Sequence, residues 1–274
     1  MRLRRRSVGR IGNCTFNCTT LGEMMNRAML LCLLLLPGAL RAQVKPVIQI
    51  YGDTVATFSI LAYDPATGEV GGAVQSRVFA VGNGVLWAEA GVGAVATQAI
   101  VDVSYGPKAI ALLKQGLSAS DVIKRVYAED PDPRPEDWTK QGRQFAVVDA
   151  KGNVAAFTGP KATEWAGDKQ SQHATAQGNI LAGPQVVQSM IDAFEKTSGH
   201  LSMKLLAALE AGQVAGGDKR GMQSAAMLIV KKGGGVWLNN DVVLRLQVDD
   251  SPEPIKELRR LVEIAARQRE RTRR

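Results

Sequence analysis

Strand-forming segments in this chain come in blocks, and pairs of helices separate the blocks. Residues 57–63, 69–76 and 85–98 carry the alternation and β-branched content of strands, with the turn "DPATG" joining the first two. Two helices follow, one starting near Pro107 and ending at Gly116, the other capped by Ser118 with Asp121 in its first turn. The irregular, proline-rich "EDPDPRPEDW" leads to strands at 143–149 and 153–158 around "AKGN", and to a further strand at 175–182. A second helix pair is expected at 184–197 and 201–213, then strands at 222–231 and 236–248 separated by "KKGGG". A last helix from Pro252 carries Ile255, Leu258, Leu261 and Val262 on one face. This is not the strand–helix–strand alternation of a doubly wound nucleotide fold. It predicts an α/β (α+β) fold, a four-layer αββα sandwich of two stacked antiparallel sheets with helices on both outer faces. The small residues of "GGAV" and "AGVGAVATQA" suit layers that approach closely. "GVGAVA" (91–96) matches a dinucleotide glycine pattern in form only, since it lies within a strand pattern and opens no helix.

The amino end reads as a targeting sequence. From Met25, "MNRAMLLCLLLLPGALRAQV" has a cationic Arg27, an apolar stretch from Ala28 to Leu36, then Pro37 and small residues to Ala42. That is the layout of a secretory signal cleaved after Ala42, and the apolar run is too short for a permanent membrane span. Residues 1–24 hold five arginines without apolar periodicity. They read as a misassigned start, or else as an extended charged n-region of the signal. Residues 43–56 then form a short leader, 57–262 the folded domain and 263–274 a basic tail.

This partition changes the charge argument. Residues 1–42 hold seven of the 34 basic residues and one of the 26 acids, so the remainder has 27 bases and 25 acids, net +2. The basicity is mostly targeting sequence, and a nucleic-acid partner loses its support. Membrane contact is expected only transiently, through the signal, while a homo-oligomer stays open. All three cysteines (Cys14, Cys18, Cys32) lie in the removed segment, which excludes disulfides, thiolate catalysis and cysteine-bound zinc from the exported chain. His173 and His200 are too few for a three-histidine metal site, and neither sits in a recognisable triad motif. No cofactor and no metal are expected.

Six motifs together carry a resemblance: "TFSILAYDPATGEVGGAVQSRVFAVG", "WAEAGVGAVATQA", "YGPKAIALLKQGLSA", "QGNILAG", "ALEAGQVAGGDKRGMQSAA" and "LRLQVDDSPEP". In this order they resemble the bacterial family catalogued as domain of unknown function 1028, which is similar in fold to the N-terminal nucleophile (Ntn) hydrolases. The resemblance implies a chemistry for Thr57, the residue that opens the first strand. In Ntn hydrolases the first residue of the mature chain attacks an amide carbonyl through its side chain, and its own α-amino group takes the proton. A free amine titrates at about pH 8, so it can act as base beside an otherwise inert hydroxyl. "AVQSR" (73–77) also resembles a proteasome-subunit stretch, with Gln75 in place of that stretch's acid.

On this reading the substrate is a small amide or peptide, with Thr57 as nucleophile and, once the Ala56–Thr57 bond is cut, as amine base. Asn179 in "QGN" is a candidate oxyanion donor. Gln75, Ser76, Asp218, Arg220 and Gln223 are candidate substrate-binding residues; Asp218 and Arg220, in the glycine-rich "GGDKRG", either bind a carboxylate or pair with each other. Asp250 is expected to cap the last helix. Trp87 and Trp165 either line a pocket or pack in the core. A non-catalytic binding protein that keeps the fold is the alternative.

Overall fold

The structure is a computed structural model and describes residues 57–162 and 164–272. The segments expected as signal (25–42) and leader (43–56) lie outside the described residues, as does all that precedes them. Ten strands make two antiparallel sheets. The larger contains β1 (Thr57–Asp64), β2 (Glu69–Ser76), β7 (Trp165–Gln170), β8 (Ala174–Leu181), β9 (Ser224–Val230) and β10 (Val242–Val248), in the order β10-β9-β2-β1-β8-β7. The smaller contains β3 (Leu86–Glu89), β4 (Gly93–Ala99), β5 (Arg143–Asp149) and β6 (Val154–Thr158), in chain order.

Three apolar clusters fill the spaces between four layers. One lies between the sheets and holds Leu61, Val70, Val74, Ala96, Val148 and Leu228. A second joins the outer face of the larger sheet to α3 (Gln185–Lys196), α4 (Leu201–Val214) and α5 (Pro254–Thr272), through Phe58, Ile60, Met190, Leu205 and Leu258. The third packs α1 (Tyr105–Lys114) and α2 (Ala119–Ala128) on the smaller sheet, through Val95, Phe145, Ile123 and Val126. β1 therefore has apolar neighbours on both faces. Its alternate residues sort by layer, Phe58, Ile60 and Ala62 towards the helices and Thr57, Ser59 and Leu61 towards the other sheet.

The predicted αββα order is present, with local corrections. The expected strand 85–98 is a hairpin, β3 and β4, because Gly91 takes a left-handed turn (φ +73°) between Glu89 and Gly93. β7 escaped the sequence reading, since "WAGDKQ" is a half-exposed edge strand with no apolar alternation. β10 starts at Val242, not 236, because Trp237 and Asn239 adopt positive φ in a loop that leaves Trp237 and Leu238 exposed. The last helix starts at Pro254 and continues to Thr272, so the stretch expected as a basic tail is helical that far. Ser118 caps α2 as expected, accepting from the Asp121 N–H at 3.1 Å. Trp165 packs against the helix-side core and Trp87 against the third cluster.

One glycine shows how closely these layers sit. A Cβ on Gly106 in α1 would lie 2.3 Å from the Trp87 ring. Gly106→Ala is expected to lower stability by about 1–3 kcal/mol, through displacement of that ring. Urea unfolding of the variant beside wild type checks it, and an unchanged midpoint would show that Trp87 has room to move.

Candidate functional site

Thr57 opens the central strand of the larger sheet, and its neighbours come from both sides. It is directly opposite Ser76 on β2 and Asn179 on β8. Residues directly opposite share a face, so these three side chains point into the inter-sheet layer. All three are fully buried. The Thr57 Oγ1 hydroxyl donates to Ser76 Oγ at 3.1 Å.

Behind Thr57 the inter-sheet layer changes from aliphatic to amide. Ser59 Oγ donates to Gln98 Oε1 (2.6 Å) and accepts from Gln177 Nε2 (2.6 Å), whose own Oε1 accepts from Thr175 (3.2 Å). Gln98 Nε2 donates to Gln144 Oε1 at 2.8 Å and to the Thr57 carbonyl at 3.4 Å. Gln144 Nε2 donates to the Gly178 carbonyl at 2.8 Å and to Thr158 Oγ1 at 2.9 Å. Asn179 Nδ2 donates to Gln144 Oε1 at 3.2 Å, while Asn179 Oδ1 has no partner among the described residues. Gln98, Gln144 and Gln177 are at most 1% exposed, so each bond is made where water cannot replace it. This network ties both sheets to the start of β1. None of Gln98, Gln144, Gln177 and Ser59 was singled out in the sequence, where each reads as one polar residue inside an apolar strand.

The remaining predicted residues divide between two places. Ser76 is beside Thr57. Gln75 faces the other way, opposite Phe58 and towards the helix layer, with Nε2 3.4 Å from the Gly221 carbonyl and a buried Oε1 without a partner among the described residues. Asp218 and Arg220 pair with each other: the buried Asp218 carboxylate accepts from Arg220 Nε at 3.3 Å and from Nη2 at 3.0 Å. Gln223 is tied to the end of β2, its N–H donating to the Ser76 carbonyl at 2.9 Å. Its side chain accepts from Arg77 Nη1 (3.1 Å) and donates to Asp250 Oδ1 (3.1 Å). Asp250 thus anchors Gln223 and does not cap α5; in the turn before the helix Ser251 Oγ accepts the Glu253 N–H. Three of the five substrate-binding candidates therefore belong to the loop 215–223 beside the site, and only Ser76 shares Thr57's face.

Two ionisable clusters lie elsewhere. Asp130 Oδ2 accepts from Tyr105 Oη (2.6 Å) and Arg143 Nε (3.2 Å), with all three side chains buried. Arg143 Nη1 also donates to the Ile100 and Trp138 carbonyls, both at 2.9 Å, which pins the proline-rich loop to β5. His200 caps α4: its Nδ1 accepts from the Ser202 N–H (3.1 Å), and Nε2 lies 3.1 Å from Glu69 Oε1. Ser202, His200 and Glu69 have the connectivity of a catalytic triad, but Ser202 is fully buried and this is a helix cap. No group of three metal-ligating side chains occurs among the described residues. One surface cavity, of about 290 Å³, is lined by Leu86, Leu228, Arg245 and Gln247, where the open edges of the two sheets meet.

Two helix-flanked antiparallel sheets with a hydroxyl at the head of the central strand define an αββα sandwich protein. Residues 57–258 match the family of unknown function DUF1028, and the chain belongs to that family. Among solved structures it is similar to the crystal structure of a protein from Silicibacter pomeroyi described as a member of the same family. The two share 32% identity with a TM-score of 0.68, over 77% of this chain and 89% of that one. No curated protein matches.

Proposed function

We propose that this chain is an exported hydrolase of the Ntn type, acting on the amide bond of a small molecule or peptide with Thr57 as nucleophile. The observation that carries the reading is the position of Thr57: first residue of the central strand, with its hydroxyl bonded to Ser76 and the amide network at its back. Cleavage of the Ala56–Thr57 bond supplies the base. Thr57 Oγ then attacks the substrate carbonyl carbon, its proton passing to the freed α-amine. The C–N bond breaks as that proton moves to the leaving nitrogen, giving an ester on Thr57. Water attacks the ester, releasing the acid and restoring the hydroxyl. Asp218, Arg220 and Gln223 form the neighbouring loop that would meet the substrate, while Gln75 acts behind it by bonding Gly221.

One observation favours a non-catalytic binding protein with this fold. Thr57 is fully buried in the chain, and while amide-linked it has no free amine. Export and cleavage decide between the readings in one measurement. Expressed from Met25, the protein is expected in the soluble periplasmic fraction, with intact mass and amino-terminal sequencing placing Thr57 first. Recovery of a species that still begins at Gln43 supports the binding protein, and a cytoplasmic product retaining 30–36 removes the export proposal.

A further inference from the structure

The amide network has a direction, and that direction assigns a role to Asn179. Backbone carbonyls can only accept, so the end of the Gln144 side chain that meets the Gly178 carbonyl at 2.8 Å must be its NH₂. Gln144 Oε1 therefore faces Gln98 and Asn179, and both must offer an N–H to it. An Asn179 side chain turned the other way would set two carbonyl oxygens against each other and strand a donor. The orientation is thus fixed by the backbone through one intervening glutamine, and Asn179 Oδ1 is left as a fully buried acceptor without a partner among the described residues. It stands on the same face as Thr57 and directly opposite it. A buried acceptor left unbonded costs about 1–3 kcal/mol, so such a group marks a place that a ligand donor can fill.

We infer that Asn179 accepts the N–H of the scissile amide, and so makes the site selective for amides that carry a hydrogen on nitrogen over esters and N-alkylated amides. This rests on the Ntn-type reading and alters it at one point: the sequence suggested Asn179 as a donor to the oxyanion, whereas the network presents its carbonyl. The chemistry is consistent. An N–H held by Asn179 fixes the orientation of the scissile nitrogen, leaving its lone pair to take the proton from the α-amine as the C–N bond breaks. An ester oxygen has no hydrogen to give, and its approach sets lone pairs against Asn179 Oδ1. Sites that bond a substrate N–H or O–H reject analogues lacking it far more strongly than purely apolar sites reject shape differences.

The test compares, in Thr57-initiated protein, the p-nitroanilide, the N-methyl-p-nitroanilide and the p-nitrophenyl ester of matched acetyl, hexanoyl and phenylacetyl groups. Asn179→Ala is expected to lower kcat/KM for the anilide by about 10–100-fold while the ester changes less than about threefold. Wild type is expected to disfavour the N-methyl anilide, and the variant to lose that preference. A fall of about 10²–10³ for anilide and ester alike is the signature of an oxyanion donor and overturns the inference. Unchanged anilide hydrolysis also overturns it. Ester hydrolysis retained by the variant certifies its fold. If the variant does not fold, equal wild-type turnover of the anilide and its N-methyl analogue overturns the inference without a mutation. Absence of Thr57-dependent turnover on every probe removes the proposed function itself, and this inference with it.

Discussion

Replacing Thr57 by alanine in a chain whose first residue is position 57 is expected to reduce amide hydrolysis by about 10⁴-fold or more. The size follows from what the side chain does. In the proposed mechanism nucleophile and base occupy one residue, so no other group can take over the attack, whereas loss of an oxyanion donor leaves the covalent step intact at about 10²–10³ lower rate. Thr57→Ser keeps the hydroxyl and is expected to keep measurable turnover. Both variants should melt close to wild type, because the hydroxyl's bond to Ser76 is a neutral one, worth about 1 kcal/mol. The pH profile is a second arm. The α-amine accepts a proton only when neutral, so turnover is expected to rise with pH through about 7.7–8.0. Equal rates in wild type and Thr57→Ala would reduce Thr57 to a strand residue.

Breaking the Asp130–Arg143 pair is expected to cost about 3–5 kcal/mol of stability. Both side chains are at most 2% exposed, so either variant, Asp130→Ala or Arg143→Met, leaves its partner charged and out of water. Chemical denaturation measures the loss, and a change below about 1 kcal/mol would show that water reaches the pair. The same cluster bounds the pH range of the fold. Burial pushes the Asp130 carboxyl up, but the Tyr105 hydroxyl, the Asp132 N–H and the Arg143 guanidinium outweigh it and hold the carboxyl below its ordinary range. That contribution is complete above the unfolded value of about 3.9 and is lost as pH falls through the lower folded value. Burial and the neighbouring Asp130 carboxylate raise the Tyr105 hydroxyl above its ordinary value. Its contribution is complete below about pH 10 and is lost as pH rises beyond that.

The layer order was legible because hairpin blocks and helix pairs leave few ways to stack. Thr57 was legible as the head of a strand. The network behind it was not, because its members are an ordinary serine on β1 and ordinary amides on β4, β5 and β8, up to 118 residues apart for Ser59 and Gln177. Nothing local marks Gln98 or Gln144 as buried, since either would suit an exposed strand position equally well. Gln75 and Ser76 are adjacent in sequence, and the pleat sends them to opposite faces; a grouping by sequence proximity placed them together. Asp250 failed as a cap for a comparable reason: Gln223, 27 positions earlier, holds its carboxylate. Edge strand β7 was invisible because half of it faces solvent, which removes the apolar period on which strand recognition depends.

The pairing of β1 with β8 also has a consequence in time. Thr57 meets Asn179 only after the chain through Leu181 has been made and β8 has come back against β1 across more than a hundred intervening residues. Contacts of such sequence separation form late, because loop closure must precede them. A half-synthesised chain can thus display the threonine and the bond before it, yet hold none of the residues that set its surroundings. Any event that depends on those surroundings, the proposed cleavage before Thr57 included, is timed by completion of the sandwich and not by arrival of the amino end.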